Sequence, residues 1–330
     1  MKKKISVEET KTLTEKSKRK MERVASIDIG TNTILLLIAE VNKGVLKPLV
    51  EKETIVRLGE GVQKNGVLLE GAMERGIQTL TQYRKECQEM GVQRIFAAGT
   101  SALREAKNAG DFLKRVGQKL NLAIEIISGE EEAQLSFLAV TRDLGNPEKP
   151  ILVVDVGGGS TEFVLGKGDQ ITDWVSLPVG SVRFTEQFLL SDPVRQEEWA
   201  NMEEEIIKGL GKVPPPQKHF TMVAVGGTAT TLASVELELE HFVYEKIHHF
   251  VLERKALKSQ LELYRSKTLE ERRKIPGLFP ARADVILAGG AILYFAMETL
   301  EVPSVLISCH GVRYGLLYKK ISNCGLRIAD

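Results

Sequence analysis

At 330 residues the chain is long enough for two domains, each with a core of its own. Hydrophobic residues make up 43% and charged residues 27%, the balance of a globular protein rather than a disordered one, and apolar runs such as Ile34–Ala39 fall far short of the ~20 residues that span a bilayer. The net charge of +1 divides unevenly: residues 1–23 hold nine Lys/Arg and four Glu, so the body is net acidic and a polyanionic ligand needs a local basic path.

Residues 1–23 lack an apolar period and read as a flexible basic tail. No apolar segment follows that would make them a secretory signal. Cys87, Cys309 and Cys324 have neither CxxC nor zinc spacing, so a reducing cytoplasm is the expected compartment. Val24–Ile29 reads as a buried strand, Ile34–Val41 as the strand that returns, and Asn42-Lys43-Gly44 as a turn between strands. Leu69–Met90 has helical spacing through Ala72, Met73, Ile77, Leu80 and Tyr83, with Gly91 as its C-cap. Arg94–Ala98 is a strand, Asn108–Leu120 a helix and Ala123–Ile127 a strand. Ser128 then N-caps a helix whose first turn holds Glu130, Glu131 and Glu132.

Leu144–Pro150 is a loop, and Ile151–Asp155 and Glu162–Leu165 are strands. Val213-Pro214-Pro215-Pro216 is a stiff spacer. Thr221–Val225 is a strand, and Thr228–Val235, Arg254–Leu263 and Leu269–Arg273 are helical. Ala283–Glu298 reads as a helix begun at the Gly289-Gly290 pair. Val305–Ser308 is a strand, and a terminal helix covers Val312–Ile321 after Gly311.

One pattern occurs twice in this order. Ile27-Asp28-Ile29-Gly30-Thr31-Asn32-Thr33 and Val154-Asp155-Val156-Gly157-Gly158-Gly159-Ser160-Thr161 are each an apolar strand, an Asp and a small-residue turn. Asp28 and Asp155 are 127 positions apart, and Gly99 of Gly99-Thr100-Ser101 and Gly226 of Gly226-Gly227-Thr228 share that offset. A common offset points to duplication: two similar α/β domains, each offering two loops to one cleft. Glycine-rich turns let several backbone N–H groups converge on one anion, so the loops point to phosphate. The plain alternative for Gly157–Thr161 is a glycine hairpin between strands. No G-x-x-x-x-G-K-[ST] or G-x-G-x-x-G run is present.

A carboxylate beside bound phosphate needs a cation, and Mg²⁺ takes carboxylate together with phosphate oxygens and water. Asp155 is read as such a ligand. Asp28 is read either so or as an acceptor that fixes its turn. Glu162 stands where the first copy has Leu35, a charge gained at a matched site. One of Glu130, Glu131 and Glu132 is a candidate base for water; spacing does not choose among them. Arg104 is a candidate cation for a transferring phosphoryl group, or an ion-pair partner of Glu105 or Glu132. The five histidines show no metal-ligand spacing: His248-His249 reads as a surface or inter-strand pair, and His310 as a candidate for the cleft wall.

Together, Ser26–Thr33, Gly99–Arg104, Ile126–Ala133, Asp155–Glu162, Gly226–Thr231 and Gly311–Gly315 resemble, in order, the exopolyphosphatase / guanosine pentaphosphate phosphohydrolase family in its short two-domain form. The resemblance implies an α/β, duplicated actin/hexokinase-like (ribonuclease H-like) fold with its active site in the interdomain cleft. It implies Mg²⁺-dependent hydrolysis of a terminal phosphoanhydride. By matching motifs, Glu132 activates water, Asp155 and Glu162 serve metal and water, and Arg104 is the family arginine. The loops Thr31-Asn32-Thr33, Gly157–Thr161 and Gly226-Gly227-Thr228 hold phosphates. Two blocks depart from the family: Ser308-Cys309 replaces Ser-Asp, and His248-His249 replaces His-Gly. Longer members add a C-terminal helical domain implicated in dimerisation; without a counterpart here, a channel crossing a dimer is not expected, and a homodimer is left to test.

The expected division is a tail at 1–23, a first domain at 24–135 plus about 311–330, and a second at 136–310. The expected substrate is inorganic polyphosphate, with guanosine pentaphosphate as the nearest rival and a non-catalytic alarmone sensor as the rival from another class. Neither nucleic acid nor membrane is an expected partner.

Overall fold

The computed structural model describes residues 22–42, 45–216 and 219–323. The segment read as a tail lies outside these, except for Glu22 and Arg23, which open the first strand. The first sheet comprises β1 (Glu22–Ile29), β2 (Thr33–Asn42), β3 (Val45–Ile55), β4 (Arg94–Gly99) and β5 (Ile124–Ile126), in the order β3-β2-β1-β4-β5. The second comprises β6 (Ile151–Val156), β7 (Thr161–Lys167), β8 (Gln170–Leu177), β9 (Thr221–Val225), β10 (Val251–Glu253) and β11 (Ser304–Ile307). Its order, β8-β7-β6-β9-β11-β10, repeats the first and adds one edge strand. In both, the first three strands are antiparallel and the next are parallel to the centre. This is the duplicated ribonuclease H-like topology of actin- and hexokinase-like proteins.

Register carries the duplication to single residues. Asp28 lies across from Leu35 and beside Ala98; Asp155 lies across from Glu162 and beside Val225. All three correspondences keep the 127-residue offset found in the sequence. β1 and β6 are central strands covered on both faces, which is why they read as nearly unbroken apolar runs. β3 is an edge strand with Pro48 inside it and a register shift opposite Ile38/Ala39, where the missing N–H is tolerated.

Helices cover both faces of each sheet. α1 (Glu70–Glu89) and α3 (Ala109–Leu120) pack on the first sheet around Leu36, Ile77, Leu80 and Phe112, and α2 (Ser101–Glu105) follows β4 directly. Gly91 follows the α1 cap at φ +66, the left-handed ending that glycine favours. α4 (Gly129–Asp143) packs on β6, β7 and β8, and α10 (Val312–Asn323) packs on α4, β1, β2 and β4. The expected domain boundary therefore cuts α4, a helix whose buried face serves both sheets.

The remaining face of the second sheet carries α5 (Ser181–Phe188), α6 (Gln196–Leu210), α7 (Gly226–Glu236), α8 (Arg254–Arg265) and α9 (Ile286–Thr299). α9 is buried nearly all round, the pattern of a central helix. Gly289 and Gly290 lie inside it rather than at its start. A Cβ at Gly289 would stand 2.8 Å from Thr228, and one at Gly290 3.1 Å from Leu261, so the pair serves close helix packing. Among the described residues no helix is long and apolar enough to cross a membrane.

Candidate active site

Each half contributes two loops at the carboxyl ends of its central strands. Gly30–Asn32 and Gly157–Ser160 are hairpin turns closed by the same bond, Gly30 N–H to Thr33 O (2.9 Å) and Gly157 N–H to Ser160 O (3.0 Å). Gly157–Ser160 is thus a glycine hairpin as well as a cleft wall. Thr100-Ser101 leads into α2, and Gly226-Gly227-Thr228 opens α7. All four loops line one cavity of about 90 Å³, together with Asp28, Glu132, Asp155 and Arg282. The two hairpins meet at its floor: a Cβ on Gly158 would lie 2.9 Å from Thr31 Cβ, and one on Gly159 would run into Ser101. Gly226 holds φ +87, and a side chain there would lie 2.9 Å from the Asp155 carboxylate.

Carboxylates dominate the cleft. Ser128 Oγ accepts the Glu131 N–H (3.1 Å), so the predicted N-cap starts α4 and directs Glu132 inward. Glu131 instead pairs with Lys319 (2.9 Å) and Glu130 bonds Gln134 (3.2 Å), which separates the three candidates. Glu132 is 8% exposed and receives Arg104 Nη1 at 2.9 Å. Burial pushes its pKa up to about 7 against the opposing Arg104 charge, and Asp155 adds to the rise. Ser136 donates to Asp155 (2.7 Å), and Ser176 to Glu162 (2.7 Å).

Burial raises the Asp155 pKa against the Ser136 hydrogen bond. Burial, then Glu132 and Asp155, hold those of Asp28 and Glu162 well above the carboxylate range. Asp28 Oδ1 and Glu162 Oε2 are buried without a hydrogen-bond partner. The turn after Asp28 is closed by the backbone bond at Gly30, and Asp28 Oδ1 is left free for another partner. Four crowded carboxylates, of which only Glu132 is ion-paired with a guanidinium, form a site short of positive charge, and a hard divalent cation suits it. Their oxygens are too spread for three to meet at one point: among the described residues only Asp143, His248 and His310 bring three ligand atoms within 4.8 Å. That spread fits an ion such as Mg²⁺, which keeps water and phosphate oxygens in its shell.

Thr31 Oγ1 and Asn32 Nδ2 are buried donors without a protein partner, as an anion cradle requires. Thr33, Gly157, Gly158, Gly159, Ser160, Gly226, Gly227 and Thr228 also line the cavity. Thr161 does not: it is fully buried and its hydroxyl donates to Val179 O (2.5 Å). Arg104 and Glu162 stand behind the lining, Arg104 holding Glu132 and Ile127 O (both 2.9 Å).

Sequence reasoning missed the cation that does line the cleft. Arg282 is 7% exposed, lies against Gly227, donates to Thr33 Oγ1 (3.2 Å) and pairs with Glu53 (2.5 Å). It sits in a one-turn Pro280–Arg282 segment with no motif to mark it. Cys309, where the family has Asp, is buried, and burial pushes its thiol up to about 12, which leaves it protonated and unreactive. His310 is not part of the cleft wall; with Asp143 and His248 it forms a group able to hold a metal ion.

With fold and cleft defined, comparison with known proteins identifies the class. The Ppx/GppA phosphatase family matches residues 37–324, and the chain belongs to that family. The chain is 35% identical to Exopolyphosphatase 2 of Mycobacterium tuberculosis over 313 residues, covering 90% of this chain and 98% of the relative. It is 34% identical over 316 residues to the bifunctional 3-dehydroquinate synthase/phosphatase of Fusobacterium nucleatum, covering 91% of this chain but only 46% of that longer protein. The crystal structure of the Aquifex aeolicus Ppx/GppA family member superposes with a TM-score of 0.79 at 38% identity, covering 92% of this chain and 99% of that one.

Proposed function

We propose that the chain is an exopolyphosphatase, releasing terminal orthophosphate from inorganic polyphosphate by Mg²⁺-dependent hydrolysis. The observation that supports this most is the meeting of four anion-cradling loops with a buried, near-neutral carboxylate in one small cleft. The likeness to Exopolyphosphatase 2 over nearly its whole length points the same way.

In this reading the terminal phosphoryl group lies between the two hairpins. Backbone N–H groups within Thr31–Thr33, Gly158–Ser160 and Gly226–Thr228, with Arg282, take up the charge on its equatorial oxygens. Glu132 accepts a proton as water attacks phosphorus, while the bond to the bridging oxygen breaks and a chain one phosphate shorter leaves. A base with a pKa near 7 suits this work at neutral pH. Arg104 acts through Glu132, fixing its position and keeping its pKa from rising further. Asp155, Glu162 and Asp28 are the carboxylates from which Mg²⁺ would draw one or two ligands, and when bound it would neutralise phosphate charge. Release of orthophosphate from polyphosphate in Mg²⁺ tests the reading; absence of release overturns it.

A second reading, hydrolysis of guanosine pentaphosphate, is favoured by one feature. A cavity of about 590 Å³ adjoins the cleft and shares Arg282 with it; Phe242 and Phe279, each 58% exposed, line it with Leu239 and Ile275. Its size and apolar lining suit an organic group carried on a phosphate chain. Phe242→Ala should raise KM for guanosine pentaphosphate and leave polyphosphate turnover unchanged; equal effects on both would remove the cavity from substrate choice.

A further inference from the structure

Three imidazoles and one carboxylate converge away from the cleft. Asp143 ends α4, eleven residues beyond Glu132 and so about 16 Å along the helix. His248 and His249 precede β10, and His310 lies in the link from β11 to α10. Asp143 Oδ1 is 3.1 Å from His248 Nε2 and 3.4 Å from His310 Nδ1; Oδ2 is 2.8 Å from His249 Nε2. The rings form a stacked column, His249 on His248 at 3.9 Å, His248 on His310 at 4.7 Å and His310 on Tyr314 at 3.7 Å.

We propose that this cluster is a structural site for a borderline transition-metal ion, Zn²⁺ or its neighbours Co²⁺ and Ni²⁺. Asp143, His248 and His310 are its ligands, water takes the fourth place, and His249 holds the outer Asp143 oxygen. An imidazole-rich set with one carboxylate suits these ions and not Mg²⁺ or Ca²⁺.

Two observations carry the assignment. First, the Asp143 side chain is 9% exposed, and its ion-pair partners among the described residues are imidazoles alone. With no lysine or arginine ion-paired to it among the described residues, this carboxylate has no permanent cation as a partner. Second, His310 Nδ1 is buried with no hydrogen-bond partner, though the Asp143 oxygen stands 3.4 Å away. Nε2 of the same ring is 2.9 Å from Tyr244 OH. In the tautomer whose Nε2–H donates to Tyr244, Nδ1 turns a lone pair towards a carboxylate oxygen; in the other, its N–H faces that oxygen without making a hydrogen bond. In the first, two lone pairs at that distance repel unless a cation lies between them, and Tyr244 then orients the ring as outer partners of metal-bound histidines do.

One contact opposes the site. The Cys309 N–H donates to His248 Nδ1 at 3.2 Å, which puts the ring proton on Nε2. Ligation through Nε2 moves that proton to Nδ1 and gives up this single long hydrogen bond in exchange for a coordination bond.

The ion's place in the fold defines its effect. α4 packs on β6, β7 and β8 of the second sheet and on α10, which packs on the first, while the His248-His249 segment leads into β10, which with β11 forms the far edge of the second sheet. A metal there would tie the end of the helix that carries Glu132 to the far edge of the second sheet and to the link that enters α10. It would act on stability rather than on the reacting phosphate.

The test uses the full chain, free of any affinity tag and stripped with chelator. Co²⁺ titration followed by visible absorption should give the bands of a four-coordinate ion, saturating at one per chain, and Zn²⁺ should raise Tm. His310→Ala should abolish both signals while leaving Mg²⁺-dependent phosphate release as it was. His249→Ala, at an exposed ring, should keep the fold and weaken Co²⁺ binding at least ~10-fold. Absence of four-coordinate bands in the unaltered chain, or Co²⁺ binding unchanged in both variants, would overturn the assignment.

Discussion

Arg104→Gln isolates the coupling on which the chemistry depends. In the folded protein burial raises the Glu132 pKa and Arg104, 2.9 Å away, is the largest opposing influence; the balance is about 7. At pH 7 about half of Glu132 is then ionised. An opposite charge at such range lowers a carboxylate pKa by about 1–3 units, so its loss moves Glu132 to about 8–10. The ionised fraction at pH 7 falls to between about a tenth and about a thousandth. Phosphate release should fall by roughly 5- to 500-fold at pH 7. It should recover as pH rises through the new pKa, because the base acts when deprotonated. The assay is phosphate release at saturating Mg²⁺ and substrate, from about pH 5.5 to about 9.5. The unaltered enzyme should gain rate through about pH 7 and the variant one to three units later. A loss of equal size at every pH would refute the reasoning and put Arg104 on the substrate.

Glu132→Gln should lower kcat at least ~10²-fold with substrate binding retained, by equilibrium binding against initial rates; an unchanged kcat removes it as the base. Asp155→Asn should raise the Mg²⁺ concentration needed for half-maximal rate, and an unshifted titration counts against its metal role. The metal-free protein should also gain stability as pH falls. A carboxylate whose folded pKa is raised contributes stability that is complete below its unfolded value and lost as pH climbs through the folded one. For Glu132 that window runs from 4.5 to about 7, and Asp28, Asp155 and Glu162 shift in the same direction. Tm without divalent ions should therefore rise between about pH 8 and about pH 5, and Mg²⁺ should flatten the slope. A flat metal-free profile would show that the carboxylates carry no such strain.

The features legible in the sequence are those imposed by local chemistry. The hairpins at Gly30 and Gly157 need small residues wherever they occur, so the repeat and its offset survive in composition alone. The cap at Ser128 is local for the same reason. β8 escaped because it is half-exposed, with Asp173 and Trp174 at the surface. α5 and α6 lack an ordinary cap; α6 is capped by Arg195 with Glu198. The glycine pair in α9 resembles a helix boundary because sequence does not show Thr228 and Leu261 pressing on it. Arg282 reaches Thr33 from 249 positions away, and His248 reaches Asp143 from 105. Separations of that size carry no spacing signal; only the packing of the two halves brings those partners together.

The central claim is that this cleft removes the last phosphate of a polyphosphate chain. The most direct measurement is orthophosphate release by the purified protein from long-chain polyphosphate, with Mg²⁺ and with chelator, beside guanosine pentaphosphate. The account predicts Mg²⁺-dependent release that is faster from polyphosphate. Release from the nucleotide alone, or binding of either without release, would contradict it.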